Sequence, residues 1–275
     1  TPWRQRFALI MLWLWDHKNQ KGPPMLNRPF IRRSVILGGL AAVAAPFLLR
    51  RGKAAAPPDQ LDGPRLDAAT GNAEWLVVLC HGSGGDGPNM IGLAPALQPF
   101  LPSAAFASPT GPFPRDDFGY RWFPGALGGD ALGMVGRGMR EGAPVFNKFL
   151  DDELARLGLG PDRLILLGFS QGSMMVLNAG LRRETLPAGI ISFAGLRLLE
   201  EGLPELSGAP PVLLVLGALE RNPEGLQETA DALTARNVPV ESHLLSGIGH
   251  TIDRRGIQLA GDFIKKVAAE KMGEG

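Results

Sequence analysis

The sequence predicts an α/β fold in which a mostly parallel sheet is covered by helices on both faces. Four short apolar runs follow one another along the chain, and stretches with helical spacing lie between them. Runs of this length, apolar on both faces, are typical of central strands in a parallel sheet. Strands that alternate with helices favour the same architecture. The predicted strands are 75–80, 163–168, 189–193 and 211–217, with 104–108 and 240–245 as flanking strands.

Four segments have apolar residues at helical spacing. The segment 144–157 places its apolar side chains on one face and acidic residues on the other, as expected for a helix that packs on a sheet. The other predicted helices are 171–181, 224–235 and 256–269. The segment 109–143 is instead rich in Gly and Pro and contains several aromatic residues, so it is predicted to be a long irregular lid or binding loop.

Composition excludes several classes of function. The chain has 275 residues and a formal net charge of +1, with 45% hydrophobic and 20% charged residues, which is typical of a globular protein. Without a basic excess to neutralise phosphates, a general nucleic-acid binder is not expected. One cysteine, Cys80, excludes an intramolecular disulfide, and no Cys/His cluster indicates a zinc site.

The first 56 residues are predicted to be an N-terminal extension. A basic stretch ends in Arg32 and Arg33, an uncharged apolar run covers 34–49, and an A-x-A site follows at 54–56. This order resembles a bacterial twin-arginine export signal, whose best-formed version begins at Met25. We therefore expect a periplasmic or exported protein. Its folded domain is residues 57–275, entered through a linker at 57–70 that is rich in Pro, Asp and Gly.

Other interpretations of this extension stay open. The apolar run has about 15 residues, fewer than the roughly 20 that a spanning helix needs. Basic residues also follow it, and Pro57 directly after Ala56 is unusual at a cleavage site. The segment 34–49 is then either a retained anchor that associates with the membrane or a helix packed on the domain. The protein is cytoplasmic if the signal does not function.

A candidate nucleophile lies directly after the second apolar run. Residues 168–172 read Gly-Phe-Ser-Gln-Gly, with a predicted strand before them and a predicted helix after them. This is the G-x-S-x-G turn of α/β-hydrolases in the setting that it requires. The turn presents Ser170 at the carboxyl edge of the sheet, where the helix N-terminus directs backbone N–H groups at a developing oxyanion. The alternative is a glycine turn with a capping serine.

A serine hydroxyl needs a neighbouring base, and only two histidines follow Ser170. His243 lies inside a predicted strand, where a structural role is favoured. His250 lies in a glycine-rich loop between that strand and the last helix, so it can reach the carboxyl edge of the sheet. The chain order in this fold is Ser, then Asp or Glu, then His. We therefore predict His250 as the general base.

The predicted acid of the triad is Glu220. It should come from the loop after the strand that ends at Gly217, and Glu220 is the single carboxylate there before the next helix. Its role would be to orient the imidazole and stabilise its charged form. The alternative is a surface glutamate paired with Arg221. Asp253 is a poorer candidate, because it follows His250 by three residues.

The glycine-rich turn after the first strand, 81–87, is the candidate oxyanion loop. We predict the backbone N–H groups of Ser83 and Gln171 as oxyanion donors. A phosphate-cradling loop is not supported, because neither G-K-[ST] nor G-x-G-x-x-G occurs in the required place. His81 is expected to shape this turn, and Cys80 to be a small buried hydrophobe.

Several motifs together resemble the bacterial phospholipase/carboxylesterase family, which is related to acyl-protein thioesterases. They are HGSGGDG at 81–87, LAP at 93–95, SP at 108–109, RWF at 121–123, GFSQG at 168–172 and GH at 249–250. The resemblance runs from about residue 74 to the C-terminus. It implies an α/β-hydrolase fold, a Ser-Asp-His triad, no metal or cofactor, and hydrolysis of carboxylic esters, in some members lysophospholipids or thioesters.

The chain departs from this family at the acid. Where the family has His-Gly-x-x-Asp, this sequence has Leu216 and Glu220. The extra methylene of Glu220 puts the position of the carboxylate in question. The hypothesis is a serine carboxylesterase or lysophospholipase-like enzyme for short to medium acyl esters. The alternatives are an acyl-thioesterase and a catalytically degenerate binding protein, whereas a peptidase is less supported.

The expected partner is a small acyl ester or lipid, and the oligomeric state is left open. Phe113, Trp122 and Phe123, together with Leu127 and Met134, are candidates for an apolar acyl site. The equal alternative is that these aromatic side chains pack their segment onto the domain.

Overall fold

The computed structural model describes residues 57–123, 131–196, 203 and 208–273. The predicted extension at 1–56, with its export signal or anchor, lies outside the described residues, as does Leu127. The side chain of Met134 is likewise not described. Within the described segments, no helix combines the length and the apolar composition needed to cross a bilayer.

A seven-stranded sheet forms the centre of the described domain, and a small hairpin lies outside it. The described strands are β1 Arg65–Leu66, β2 Trp75–Cys80, β3 Ala104–Ala107, β4 Phe113–Pro114, β5 Tyr120–Arg121, β6 Leu164–Phe169, β7 Gly189–Phe193, β8 Val212–Gly217 and β9 Val240–Leu245. The order of strands in the sheet is β1-β3-β2-β6-β7-β8-β9, and β4 and β5 form the hairpin. All neighbouring strands of the sheet are parallel except β1, which pairs antiparallel with β3.

Seven α-helices are described, and three 3-10 turns at Ile91–Leu93, Gln98–Phe100 and Pro161–Arg163 supplement them. The helices are α1 Gly87–Met90, α2 Ala94–Leu97, α3 Ala131–Glu141, α4 Ala143–Leu157, α5 Gln171–Gly180, α6 Gly225–Thr234 and α7 Arg254–Gly273. The six predicted strands and three of the four predicted helices are confirmed to within one residue at each end. The last helix is longer than predicted, by two residues at its start and four at its end.

The apolar runs of the strands supply both faces of the sheet. In β2, Leu76 and Val78 join the core cluster that includes the buried faces of α4, α5 and α6. Val77 and Leu79 join the opposite cluster, with α7 and the short helices after β2. Successive side chains of a strand point to opposite faces, so a run of apolar residues is buried throughout. Each large apolar side chain buried in this way stabilises the fold by about 1.5–3 kcal/mol.

The order of the strands decides where a site can form. The chain leaves β2 for β3 on one side and later returns to β6 on the other side, so β2 and β6 are neighbours with Cys80 opposite Gly168. Ligands of open α/β sheets bind outside the carboxyl ends of the strands at such a reversal point. The loops after β2, β6, β8 and β9 all begin at this edge, and they carry the candidate catalytic residues.

The prediction of one long irregular loop at 109–143 was wrong. The segment contains the β4–β5 hairpin and the 11-residue helix α3. Glycines within and just after α3 hid the helix from sequence reasoning. They are needed for close packing: a Cβ at Gly138 would lie 2.4 Å from the Phe123 ring, and one at Gly142 would lie 2.6 Å from the Trp122 carbonyl oxygen.

The predicted linker at 57–70 also contributes to the sheet, through β1. Arg65 in this strand donates to the carboxylate of Glu153 in α4, at 2.7 Å for the shortest contact, and Arg156 binds the same carboxylate. Glu153 is buried, so it does not lie on a solvated acidic face of α4 as predicted. A buried carboxylate needs such partners, and here the partners attach the entering chain to the domain.

Candidate active site

Ser170 occupies the sharp turn between β6 and α5. Its backbone has φ 54° and ψ −118°, a conformation that non-glycine residues adopt rarely and at an energetic cost. The Ser170 N–H donates to the carbonyl of Phe193 at 2.8 Å, and the Ser170 carbonyl accepts from Met174 in α5. The turn is therefore held by the end of β7 and by the first turn of α5. The side chain is presented above the sheet, and 5% of the residue is exposed.

The two glycines of the motif permit this turn. A Cβ at Gly168 would lie 2.4 Å from the carbonyl oxygen of Gly172. A Cβ at Gly172 would lie 2.3 Å from the carbonyl oxygen of Cys80, at the end of the neighbouring strand β2. Real Cβ atoms do not tolerate such distances, because they fall far inside van der Waals contact. The motif thus brings the start of α5 against the end of β2.

His250 connects Ser170 to Glu220 by two hydrogen bonds. Its Nε2 lies 2.9 Å from Ser170 Oγ, and its Nδ1 lies 2.6 Å from Glu220 Oε1. An ionised carboxylate only accepts, so Nδ1 carries the proton that it donates to Glu220. In the neutral ring Nε2 is then an acceptor for the Ser170 hydroxyl. This is the connectivity that allows a histidine to take a proton from a serine.

The loops that carry Glu220 and His250 pack closely on each other. The Leu219 N–H donates to the carbonyl of Ile248 at 2.9 Å. A Cβ at Gly217 would lie 2.4 Å from the carbonyl oxygen of Gly249 and 2.5 Å from that of Ile248. The contact is possible because position 217 has no side chain. It fixes the spacing between the acid loop and the histidine loop.

The departure at the acid does not move the carboxylate out of reach. Glu220 lies in the turn after β8, where its N–H donates to the Gly217 carbonyl at 3.1 Å. From this position the longer side chain of glutamate reaches His250 at hydrogen-bond distance. Asp253, the other candidate, binds Arg255 and accepts from the Gly256 N–H at 3.0 Å. Asp253 therefore caps the start of α7.

The candidate oxyanion donors lie beside Ser170. Gln171 is the first residue of α5, so its N–H has no partner within the helix. On the other side, a Cβ at Gly82 would lie 3.1 Å from Ser170 Cβ, which shows how closely the loop after β2 approaches the serine. Ser83 follows in that loop, and within the described residues its backbone N–H makes no hydrogen bond. Both N–H groups are free to serve a ligand.

His81 shapes the candidate oxyanion loop, as predicted. Its Nε2 accepts from the Gly111 N–H at 2.8 Å, so Nδ1 carries the proton and donates to the Gly82 carbonyl, also at 2.8 Å. The ring is buried, and burial lowers the pKa of His81 below its usual value. A neutral ring is required here, because a protonated Nε2 would face the Gly111 N–H as a second donor.

Residues 62–268 match the family model described as phospholipase/carboxylesterase. The chain belongs to this family. The family predicted from the motifs is thereby confirmed.

Named relatives of this phospholipase/carboxylesterase family member agree with the assignment. Acyl-protein thioesterase 1 of Eremothecium gossypii is 26% identical over 223 residues, which cover 75% of this chain and 94% of the relative. Esterase YpfH of Escherichia coli K12 is 28% identical over 200 residues, which cover 70% and 83%. The crystal structure of esterase PE8 matches with a TM-score of 0.71 and 37% identity, over 76% of this chain and 99% of the other. The predicted α/β-hydrolase fold is confirmed.

The aromatic residues proposed for an acyl site are core residues in this family member. Trp122 and Phe123 are 0% exposed and Phe113 is 4% exposed. The Trp122 Nε1–H donates to the His81 carbonyl at 2.8 Å, and the ring packs edge-on against Phe146 with centroids 5.3 Å apart. Side chains buried in this way pack their segment onto the domain, so the structure favours the packing alternative for Phe113, Trp122 and Phe123.

The side chain of Gln171 has a role that the motif does not reveal. Its Oε1 accepts from the Trp122 N–H at 2.7 Å, and its Nε2 donates to the Phe123 carbonyl at 3.2 Å. The side chain of the residue after Ser170 thus anchors the buried aromatic segment. The side-chain contacts of Gln171 leave no local sequence pattern, because Gln171 and Trp122 are 49 positions apart in the chain.

Two further neighbours of the site were not foreseen. The Phe169 ring lies against the His250 imidazole, with centroids 4.9 Å apart, and limits the movement of the ring. Arg115 in the β4–β5 hairpin donates to Ser83 Oγ at 2.8 Å. The predictions for Cys80 and His243 agree with the structure. Cys80 is fully buried, and burial raises the pKa of its thiol well above the usual value. His243 lies in β9 and is hydrogen-bonded to Glu241.

Proposed function

We propose that this protein is a serine hydrolase that cleaves carboxylic esters of short to medium acyl chains through an acyl-enzyme. The observation that carries the proposal is the hydrogen-bonded series Glu220–His250–Ser170, with distances of 2.6 and 2.9 Å. In this proposal Ser170 is the nucleophile, His250 the general base and Glu220 the acid that orients the imidazole. The strained backbone of Ser170 supports the same roles. So do the N–H groups of Ser83 and Gln171, which make no hydrogen bond within the described part of the chain.

Acylation begins when Ser170 Oγ attacks the ester carbonyl carbon. His250 Nε2 accepts the hydroxyl proton, and Glu220 stabilises the imidazolium through Nδ1–H. The carbonyl oxygen becomes an oxyanion that accepts from the N–H groups of Ser83 and Gln171. Collapse of the tetrahedral intermediate breaks the ester C–O bond. The proton passes from His250 to the leaving alcohol, and the acyl group stays on Ser170.

Deacylation repeats these steps with water as the nucleophile. His250 Nε2 removes a proton from water, whose oxygen attacks the acyl carbon, and the same N–H groups stabilise the second oxyanion. When this intermediate collapses, the bond to Ser170 Oγ breaks and His250 returns the proton to the serine. The products are a carboxylic acid and the free enzyme, and the steps as written consume only the ester and water.

An acyl-thioesterase is the second candidate, favoured by the likeness to the acyl-protein thioesterase of Eremothecium gossypii. The same residues would serve it, since only the leaving group differs. The catalytically degenerate alternative rested on the altered acid loop, and the reach of Glu220 to His250 speaks against it. We further propose that the segment 25–56 directs export, which a fusion of this segment to a reporter that folds before export would test.

The test of the proposed function is hydrolysis of p-nitrophenyl esters from acetate to octanoate by the full chain, beside the matched p-nitrophenyl thioesters. Ser170→Ala should abolish turnover and leave the melting temperature unchanged within a few degrees. Ser173→Ala is a matched control, since Ser173 is a buried serine of α5 that binds backbone carbonyls. Turnover retained by Ser170→Ala, or absence of both turnover and fluorophosphonate labelling in the wild type, would reject the proposal.

A further inference from the structure

The β4–β5 hairpin is attached to the loop that carries Ser83. The Gly84 N–H donates to the Tyr120 carbonyl at 2.8 Å, and the Tyr120 N–H donates to the Gly85 carbonyl at 2.9 Å. Gly119 lies so close that a Cβ there would be 2.1 Å from the Gly84 carbonyl oxygen. Backbone hydrogen bonds thus join the hairpin to the part of the candidate oxyanion loop that directly follows Ser83.

Arg115 adds a side-chain contact between the hairpin and this loop. One terminal nitrogen, NH1, donates to Ser83 Oγ at 2.8 Å. Nε donates to Asp117 Oδ1 at 2.7 Å, and the second terminal nitrogen binds the other oxygen of the same carboxylate. The guanidinium also lies over the Phe118 ring, 5.4 Å from its centroid. These contacts restrain the position of the guanidinium and pair its positive charge with the Asp117 carboxylate.

The carboxyl group that pairs with Arg115 has a lowered pKa. Beside Arg115, the pKa of the Asp117 carboxyl is held well below its usual value, chiefly by the side-chain hydrogen bonds from Arg115. Asp117 therefore remains ionised and paired across the range in which a histidine-dependent hydrolase works. A guanidinium paired in this way is a structural support rather than a free site for an anionic substrate.

Ser83 lies between two supports. On its inner side, the Gly82 carbonyl accepts from His81 Nδ1 at 2.8 Å and from the Gly85 N–H at 3.0 Å. That carbonyl belongs to the same planar peptide unit as the Ser83 N–H, so these bonds set the direction of the N–H. On its outer side, Ser83 Oγ is held by Arg115. Both supports act on Ser83, the candidate donor that comes from the loop after β2.

We propose that Arg115 is a positioning residue for the oxyanion hole: by holding Ser83 Oγ, it directs the Ser83 N–H at the oxyanion. The inference rests on the proposed function and adds to it a residue of the β4–β5 hairpin, 32 positions from Ser83. Arg115 touches neither the substrate nor the reacting atoms. It acts through Ser83.

This role predicts an effect on kcat rather than on KM. An oxyanion donor binds more strongly when the carbonyl oxygen becomes charged, so its alignment matters in the transition state more than in the bound substrate. Complete loss of one such donor lowers kcat about 10²- to 10³-fold. Without Arg115 the donor remains but is poorly aligned. We expect kcat to fall about 10-fold while KM changes less than about twofold.

The experiment compares Arg115→Ala, Arg115→Lys, Ser83→Ala and the double variant Arg115→Ala/Ser83→Ala in the full chain. Arg163→Ala is the matched control, because Arg163 also pairs with a neighbouring aspartate and lies 5.1 Å over an aromatic ring, but precedes the amino end of β6. The readouts are kcat and KM for p-nitrophenyl butyrate, the second-order rate of fluorophosphonate labelling of Ser170, and the melting temperature.

We expect Arg115→Ala and Ser83→Ala each to slow turnover and labelling about 10-fold, and the double variant to be no slower than the slower single variant. Arg115→Lys should recover part of the rate, since lysine keeps one donor for Ser83 Oγ but cannot bind both oxygens of Asp117. Arg163→Ala should match the wild type. Losses that multiply in the double variant, a change in KM alone, or equal losses in Arg115→Ala and Arg163→Ala would overturn the proposal.

Failure of the proposed function gives a different result. A wild type that is labelled at Ser170 but hydrolyses no ester would reject the substrate class, and the labelling rates of the variants would still decide the role of Arg115. A wild type that is not labelled would reject both proposals, because no activated serine and no oxyanion hole would then exist.

Discussion

Glu220 Oε1 lies 2.6 Å from His250 Nδ1, although the phospholipase/carboxylesterase motif leads one to expect an aspartate at this place. The acid loop and the histidine loop are packed against each other through Gly217, so the distance between their backbones is fixed. A glutamate side chain spans that distance. The length of the Glu220 side chain is therefore matched to the distance between the backbones of these two loops.

Glu220→Asp should lower kcat about 10²-fold, because shortening the side chain by one methylene removes roughly 1 Å of reach and misplaces the imidazole. Glu220→Gln should lower it about 10³- to 10⁴-fold, since an amide can stabilise neither the required tautomer nor the imidazolium. Steady-state hydrolysis of p-nitrophenyl butyrate measures both. Glu228→Gln, at an exposed position of α6, is the control. An aspartate variant as active as the wild type would contradict the match.

Gly217→Ala should disturb the alignment of Glu220 with His250. The added Cβ would lie 2.4 Å from the Gly249 carbonyl oxygen, so one loop must move. We expect kcat to fall about 10- to 100-fold and the melting temperature to drop. Gly249→Ala is the matched control, since a Cβ there meets no atom closer than 3.8 Å. Equal activity of the two variants, measured at saturating ester, would show that the close approach does not align the site.

The strands, and the proximity of Ser170, Glu220 and His250, were predictable because each has a local signal. A buried strand needs a continuous apolar run, and the runs that become β2, β6, β7 and β8 have no competing pattern. The serine motif requires its strand, turn and helix in order. The candidates for the base and the acid then follow from chain order, because few histidines and carboxylates lie at the ends of strands.

The segment after β3 was not predictable in the same way. The strands β4 and β5 have two residues each, too few to form a pattern, and α3 contains three glycines that weaken its helical signal. The buried state of Trp122 and the contact from Arg115 to Ser83 depend on tertiary packing between distant positions. A sequence shows that aromatic residues are present, but not whether they line a cavity or fill the core.

Acidification should weaken the fold through His81. Burial lowers the pKa of His81 in the folded state, whereas the unfolded chain titrates near 6.5. Below about pH 6.5 the unfolded chain binds more protons, so the free energy of unfolding decreases as the pH falls towards the folded pKa, by at most about 1.4 kcal/mol per pH unit for one group. This stabilising contribution is fully present above the unfolded pKa.

Denaturant titrations at pH 7.5 and pH 5.5 measure this effect. His81→Gln should be less stable than the wild type at pH 7.5, because it loses a packed ring, but its stability should change less between the two pH values. His243→Gln is the control, since it replaces another histidine, in β9, and leaves the His81 ring in place; the pH dependence that arises from His81 should persist in it. If the free energy of unfolding changed equally with pH in all three proteins, His81 would not be the cause of the loss of stability at low pH.

Trp122 can be tested as a core residue against the alternative that it lines an acyl site, because the two roles predict different effects on stability and on substrate preference. As a core residue, its truncation in Trp122→Ala leaves a cavity between Phe146 and His81 and should cost about 3–5 kcal/mol of unfolding free energy. Trp122→Phe fills most of that space but leaves the His81 carbonyl without its donor, at a cost of about 1–3 kcal/mol. A substrate-lining residue would instead change KM with acyl length and leave stability intact. If Trp122→Ala fails to fold, the milder variant Trp122→Phe still separates the two interpretations. Lowered stability with an unchanged preference among acetate, butyrate and octanoate esters would support the core role. Unchanged stability with an altered preference among these esters would contradict it.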